Sequence, residues 1–135
     1  MNSHKRNILR VLSALALIVI FSEIALSQIS GYTNRLKGQV NSAQVSGSSD
    51  LSNFPVLMSF TLPDLRSTGN GGLVQNVNGY DILFTSANGT SILSHQIETY
   101  DPTTGQIEIW VRFPTLSATS NTEFYMYYGN SGIVS

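Results

Sequence analysis

The chain of 135 residues has room for one domain, and its 7 basic and 8 acidic side chains leave no cationic surplus to neutralise a nucleic-acid backbone. It has no cysteine, which excludes disulfide stapling, thiolate metal sites and lipid attachment through a thiol. Packing and sheet hydrogen bonds alone must hold whatever it forms.

Lys5, Arg6 and Arg10 open the chain, and the apolar run 11–21 (VLSALALIVIF) and the small-residue end Ala25-Leu26-Ser27 follow. Positive, apolar and small segments in that order read as a signal peptide over 1–27, with cleavage expected between Ser27 and Gln28. The alternative is a retained anchor. A spanning helix needs about 20 apolar residues, and stretching the run that far takes in Arg10 or Glu23, each costly at mid-bilayer. The expectation is therefore an exported protein, periplasmic, cell-surface or extracellular, touching a membrane only through an uncleaved leader. The remainder, 28–135, is read as a single domain. Its basic residues are Arg35, Lys37, Arg66 and Arg112, against seven acidic ones, a net charge of −3. Four scattered cations make no stripe for phosphates, so nucleic acid is not an expected partner.

After residue 27 helical periodicity stops, and short alternating runs between turn signals take over. A first strand is expected over 32–40, then a polar loop over 41–53. A second strand is expected over 54–62, with Val56, Met58 and Phe60 on one face. Pro55 has no N–H to donate and marks an edge or a strand start. Segment 63–78 reads as a short helix or an irregular crossover, with Asn70-Gly71-Gly72 as a turn. Strands are expected at 80–85 and 91–100, joined as a hairpin through Ser86-Ala87-Asn88-Gly89. Asp101-Pro102-Thr103-Thr104-Gly105 is a second hairpin loop. It leads into 106–113 (QIEIWVRF), the strongest strand pattern of the chain. The connection 114–121 leads to a last strand at 122–128. Six or seven antiparallel strands joined as a meander or Greek key predict an all-β sandwich of Greek-key or jelly-roll type, with a small barrel as the alternative.

Several runs resemble one known family. They are Leu51-Ser52-Asn53-Phe54-Pro55-Val56-Leu57, Tyr80-Asp81-Ile82-Leu83-Phe84-Thr85 and Gln96-Ile97-Glu98-Thr99-Tyr100-Asp101. Ile109-Trp110-Val111-Arg112 before Pro114-Thr115-Leu116-Ser117 follows, and Tyr125-Met126-Tyr127-Tyr128-Gly129-Asn130 closes the set. In that order they resemble domain-of-unknown-function family 2341 over about 31–130. The resemblance implies a bacterial exported or envelope protein with an all-β module, whose relatives often carry concanavalin-like or other carbohydrate-associated modules. It implies no activity. His95-Gln96 departs from the family pattern, which more often has an aromatic residue or proline followed by glutamate.

Side chains alternate across a strand. Ile107, Ile109, Val111 and Phe113 therefore share the core face of 106–113, and Gln106, Glu108, Trp110 and Arg112 share the other. A lone tryptophan among charges on a wet face is the anomaly of this sequence. If the last strand is a neighbour, Tyr125 and Tyr127 join Trp110 in an aromatic patch bordered by Glu108 and Arg112. Such a patch suits a glycan or a peptide; the plainer alternative is a patch covered by 63–78 or by an adjacent domain.

Enzymatic signals are poor. Glu98, Asp101 and Glu108 are the carboxylates nearest one another, and a polysaccharide hydrolase built on them is the alternative reading. His95 has no nucleophile-elbow motif beside it, and its offset of three from Glu98 puts the two on opposite strand faces. Asp81, Asn88 and Asp101 could offer oxygens to calcium, but turns favour the same residue types. Asn88-Gly89-Thr90 is a glycosylation sequon that reads as a hairpin turn. The expectation is a non-catalytic envelope or secreted module, without cofactor or metal, that binds carbohydrate or a neighbouring lectin-like or envelope domain.

Overall fold

The computed structural model describes residues 21–22 and 29–135. Seven strands are found among them: β1 (Phe21–Ser22), β2 (Asn34–Val40), β3 (Leu51–Thr61), β4 (Leu83–Ser86), β5 (His95–Asp101), β6 (Gln106–Leu116) and β7 (Thr122–Tyr128). One antiparallel sheet has the order β1-β2-β7-β4 and the other β3-β6-β5. The leader expected over 1–27 lies outside the described residues, apart from Phe21–Ser22, which pair with Lys37 and Leu36 on β2. No helix among the described residues is long and apolar enough to cross a membrane.

Period-two alternation builds the interior. Ile107, Ile109 and Val111 are sealed, as are Val56 and Met58 opposite them on β3. The other sheet contributes Leu36, Val40, Phe84, Phe124 and Met126 to the same cluster. Each such side chain gains about 1.5–3 kcal/mol from full burial. The layers meet ring to ring: Phe113 of β6 and Phe124 of β7 pack edge-on with centroids 5.6 Å apart. Phe124 in turn lies over Gly38, its register partner on β2, where a Cβ would strike the ring. The two sheets are therefore a packed sandwich, as the alternation predicts.

The connections differ from a meander. Among the described strands, consecutive neighbours within one sheet are β1 with β2 and β5 with β6, the second pair joined at the expected 101–105 loop. The hairpin expected between 80–85 and 91–100 starts correctly. Ser86 N–H donates to the Ser91 carbonyl, Leu93 N–H to the Phe84 carbonyl, and Thr85 bridges Ile92. The chain then crosses over, and β5 joins the opposite sheet. Pro55 sits on β3, an edge strand, where its missing N–H costs no ladder bond.

Segment 63–78, expected as a short helix or irregular crossover, holds two single-turn 3-10 helices, Pro63–Leu65 and Thr68–Asn70, and is tied to the 101–105 loop through the Ser67 N–H, which donates to the Pro102 carbonyl at 2.9 Å. Leu65 and Val74 plug into the core. The Tyr100 hydroxyl donates to the Leu65 carbonyl at 2.6 Å. Burial, followed by the nearby carboxylates of Asp81 and Asp101, pushes the Tyr100 phenol up to about 12.

Candidate functional site

The outer face of the β3-β6-β5 sheet carries the tryptophan. Trp110 is half-buried at the middle of the central strand β6. Its register partners are Leu57 on β3 and Gln96 on β5. One row along, Glu108 stands between Ser59 and Thr99; on the other side Arg112 stands opposite Pro55. Ser59, Pro55, Gln96, Thr99 and Arg112 are exposed, so this sheet face is open to solvent.

A bulge adds a residue to it. The β5–β6 register shifts between Ile97 and Thr99. Ile97 and Tyr100 pack on the core, whereas Glu98 and Thr99 are both exposed. The Gln96 amide donates to Glu98 Oε1 at 3.2 Å, which fixes Glu98 on the Trp110 side. Arg112 Nη2 donates to Ser94 Oγ at 3.2 Å. Among the described residues neither the Trp110 indole N–H nor the Glu108 carboxylate has a hydrogen-bond partner. The face thus combines a flat aromatic ring, an apolar neighbour in Leu57, two carboxylates, an amide and one guanidinium.

Tyr125 and Tyr127 are not part of it. They were expected beside Trp110 on the assumption that β6 and β7 are neighbours. β7 lies between β2 and β4 in the other sheet, so the outward side chains of β6 and β7 point away from each other across the sandwich. The two tyrosines occupy the opposite outer surface. The Arg35 guanidinium lies over the Tyr125 ring, 4.3 Å from its centroid, beside an ion pair of 2.9 Å between Lys37 and Glu123. Tyr127 is fully buried there: Tyr32 packs edge-on against its ring at 6.0 Å, and its hydroxyl donates to the Gly89 carbonyl at 2.8 Å. The 86–91 turn and Tyr32 close that surface over the ring.

The other singled-out residues serve the backbone. Asp81 is completely buried, and its carboxylate accepts from four backbone N–H groups. Gln75, Gly129 and Asn130 donate to Oδ2 at 2.8, 3.1 and 3.2 Å, and Asn76 donates to Oδ1 at 2.9 Å. Asn88 Oδ1 accepts from the backbone N–H of Thr90 and Ser91, both at 2.9 Å, and shapes the turn. Asp101 Oδ1 accepts from the Thr103 N–H at 2.8 Å and its hydroxyl at 2.6 Å. These bonds from Thr103 lower the Asp101 carboxyl below its usual range. The three residues considered for calcium therefore belong to three separate hydrogen-bonded turns. No group of three or more His, Asp or Glu side chains able to hold a metal is found among the described residues. His95 faces inward opposite Val111, its ring 5.6 Å from Phe84 and its Nδ1 3.1 Å from the Leu93 carbonyl.

The role of Asp81 was missed from the sequence. A signal was present: Asp81 follows Tyr80 in one run of the resemblance, and Gly129-Asn130 closes another. The carboxylate ties these two runs together. Residues 78–135 match the family described as domain of unknown function (DUF2341), the family those runs resemble. The match takes in β4 to β7, including the Trp110 strand. No curated protein and no solved structure matches the chain.

Proposed function

We propose that this domain is a non-catalytic binding module of an exported bacterial protein, and that its ligand is a carbohydrate held on the Trp110 face. One observation carries the reading. Trp110 is partly buried, with part of its ring still open, at the centre of a solvent-facing sheet, with the donors and acceptors of Gln96, Glu98, Glu108 and Arg112 around it. A pyranose ring is apolar on its C–H faces and polar at its rim. It stacks on an indole while its hydroxyls bond to the carboxylates and guanidinium beside it. Glycan contact would also suit a cell-envelope location, with the leader over 1–27 as the export signal.

Trp110 is the only tryptophan of the chain and reports on its own occupancy. Titration of the protein with a panel of oligosaccharides is expected to shift its fluorescence in a saturable way. Trp110→Ala is expected to lose retention on the immobilised glycan that gives the shift. Silence across the panel, with an intact fold, refutes the reading.

A second reading, a polysaccharide-acting hydrolase, draws on Glu98 and Glu108 sharing this face. Retaining and inverting hydrolases alike use a pair of carboxylates. Here, however, Glu98 is exposed on an open sheet that excludes no water. Release of reducing ends from a bound glycan, abolished by Glu108→Gln, would favour this reading over the first.

A further inference from the structure

We infer that the Trp110 face selects a glycan without acidic groups, with the chain laid across the strands rather than along them. The inference rests on the carbohydrate reading above and concerns which carbohydrates fit. It follows from how the register sorts the side chains into three parallel rows.

The middle row is Leu57, Trp110 and Gln96. Neighbouring strands lie about 4.8 Å apart, so the row is about 10 Å long, of the order of two sugar rings end to end. Two of its three members are apolar, which suits the C–H faces of a flat, extended chain. The row on one side is Ser59, Glu108 and Thr99, with Glu98 beside them through the bulge. It supplies acceptors for hydroxyl hydrogens. The row on the other side has Pro55, Arg112 and Ser94, with the Arg112 guanidinium held by Ser94 Oγ. It supplies donors for hydroxyl oxygens. A chain across the strands sets its faces on the middle row and its two polar rims against opposite kinds of partner. A chain along β6 would instead place a ring face over Glu108 and another over Arg112, burying charge under apolar C–H groups.

Charge then sets the class. The face carries Glu98 and Glu108 against Arg112 alone, and the only guanidinium is already shared with Ser94. The mature domain is itself acidic, at −3 by its residue count. A uronate polymer would bring carboxylates within reach of the acceptor row, and like charges at a contact oppose binding. An amino sugar would meet Arg112 on one side but Glu98 and Glu108 on the other, so positive charge is not what the face rejects.

The test uses the full chain, Trp110 fluorescence and immobilised-ligand retention, with cellohexaose and mannohexaose as uncharged probes. Hexagalacturonate is the acidic probe and the glucosamine hexamer the cationic one. At least one uncharged hexamer is expected to bind, with the acidic one weaker by about tenfold or more at low ionic strength. The double substitution Glu98→Gln and Glu108→Gln is expected to narrow that gap by raising the relative retention of hexagalacturonate. Binding of hexagalacturonate as tightly as any uncharged probe, lost in Trp110→Ala, overturns this inference and leaves the carbohydrate reading standing, whereas the glucosamine hexamer is expected to bind at least as well as an uncharged one. No response to any of the four overturns the carbohydrate reading itself.

Discussion

Replacing Asp81 by asparagine changes one oxygen for an amino group at the point where four backbone N–H groups converge. The best orientation keeps the amide oxygen at the Oδ2 position, where Gln75, Gly129 and Asn130 donate. The amino group then faces the Asn76 N–H, donor against donor. A buried donor left without an acceptor costs about 1–3 kcal/mol. The three surviving bonds lose the charge that made them about twice as strong as neutral ones. Together these give a destabilisation of about 3–4 kcal/mol, a large part of the 5–15 kcal/mol that holds a typical domain. For a domain of this size it corresponds to a fall in Tm of about 12–20 °C. Urea titration followed by Trp110 fluorescence measures it, because the probe lies in the other sheet from β7, whose end the carboxylate binds, and reports the global transition. A midpoint for Asp81→Asn within about 0.5 kcal/mol of the parent would refute the claim that this carboxylate holds 73–78 against the end of β7.

Tyr127→Phe removes the hydroxyl that donates to Gly89 and should cost about 1 kcal/mol or somewhat more. It should leave glycan binding untouched, since Tyr127 belongs to the surface opposite Trp110; parallel melts and titrations separate the two effects. Gly105 has φ +77°, and a Cβ there would run into the Leu62 carbonyl oxygen. Gly105→Ala should therefore cost more than the roughly 1 kcal/mol of a left-handed alanine alone, and a melt like the parent's would contradict the tight approach. Tyr100 and Tyr128 are both pushed up to about 12, chiefly by burial and then by Asp81 near the first and Asp64 near the second. The unfolded chain releases these phenolic protons near pH 10, while the folded protein keeps them. Their contribution is complete below pH 10 and disappears as pH rises through about 12. Urea midpoints at pH 8 and 11 should show the loss at the higher pH, and equal midpoints would count against it.

Alternation made the faces legible but not the sheets. Which side of 106–113 is core follows from Ile107, Ile109, Val111 and Phe113 alone, and all four are buried as expected. Which strand stands beside it does not follow, because the pattern of one strand carries no label for its neighbour. Phe124, Met126 and Tyr128 read as a core face whether β7 lies next to β6 or across the sandwich from it. Grouping Tyr125 and Tyr127 with Trp110 depended on that unlabelled choice, and the structure separates them. The bulge at Glu98 was equally invisible, since period two applied to 95–101 places Glu98 with Gln96 but Thr99 with the core. The strand expected at 80–85 begins only at Leu83. Tyr80 and Asp81 look like strand residues by composition, yet the buried carboxylate holds that stretch in a turn against 75–76 and 129–130.

The runs that carry the family resemblance divide by what their outward residues do. In the run around Asp81 and in the one ending at Gly129-Asn130, the polar groups are engaged with each other, and Tyr127 and Tyr125 are engaged with Gly89 and Arg35. Those runs account for how the sandwich closes. The run at Ile109-Trp110-Val111-Arg112 is different: its inward members build the core, while Trp110 sits partly buried on the outer face and takes no part in the packing between the sheets. A large aromatic side chain on an outer sheet face, still partly in water, gains less for the fold than one sealed in the core. Threonine or valine would serve the middle of a sheet as well on its outer face. Trp110→Thr should accordingly leave the urea midpoint within about 1 kcal/mol of the parent while abolishing retention on the glycan. A loss of stability much larger than that would recast Trp110 as a packing residue and remove the reason for placing a ligand on this face.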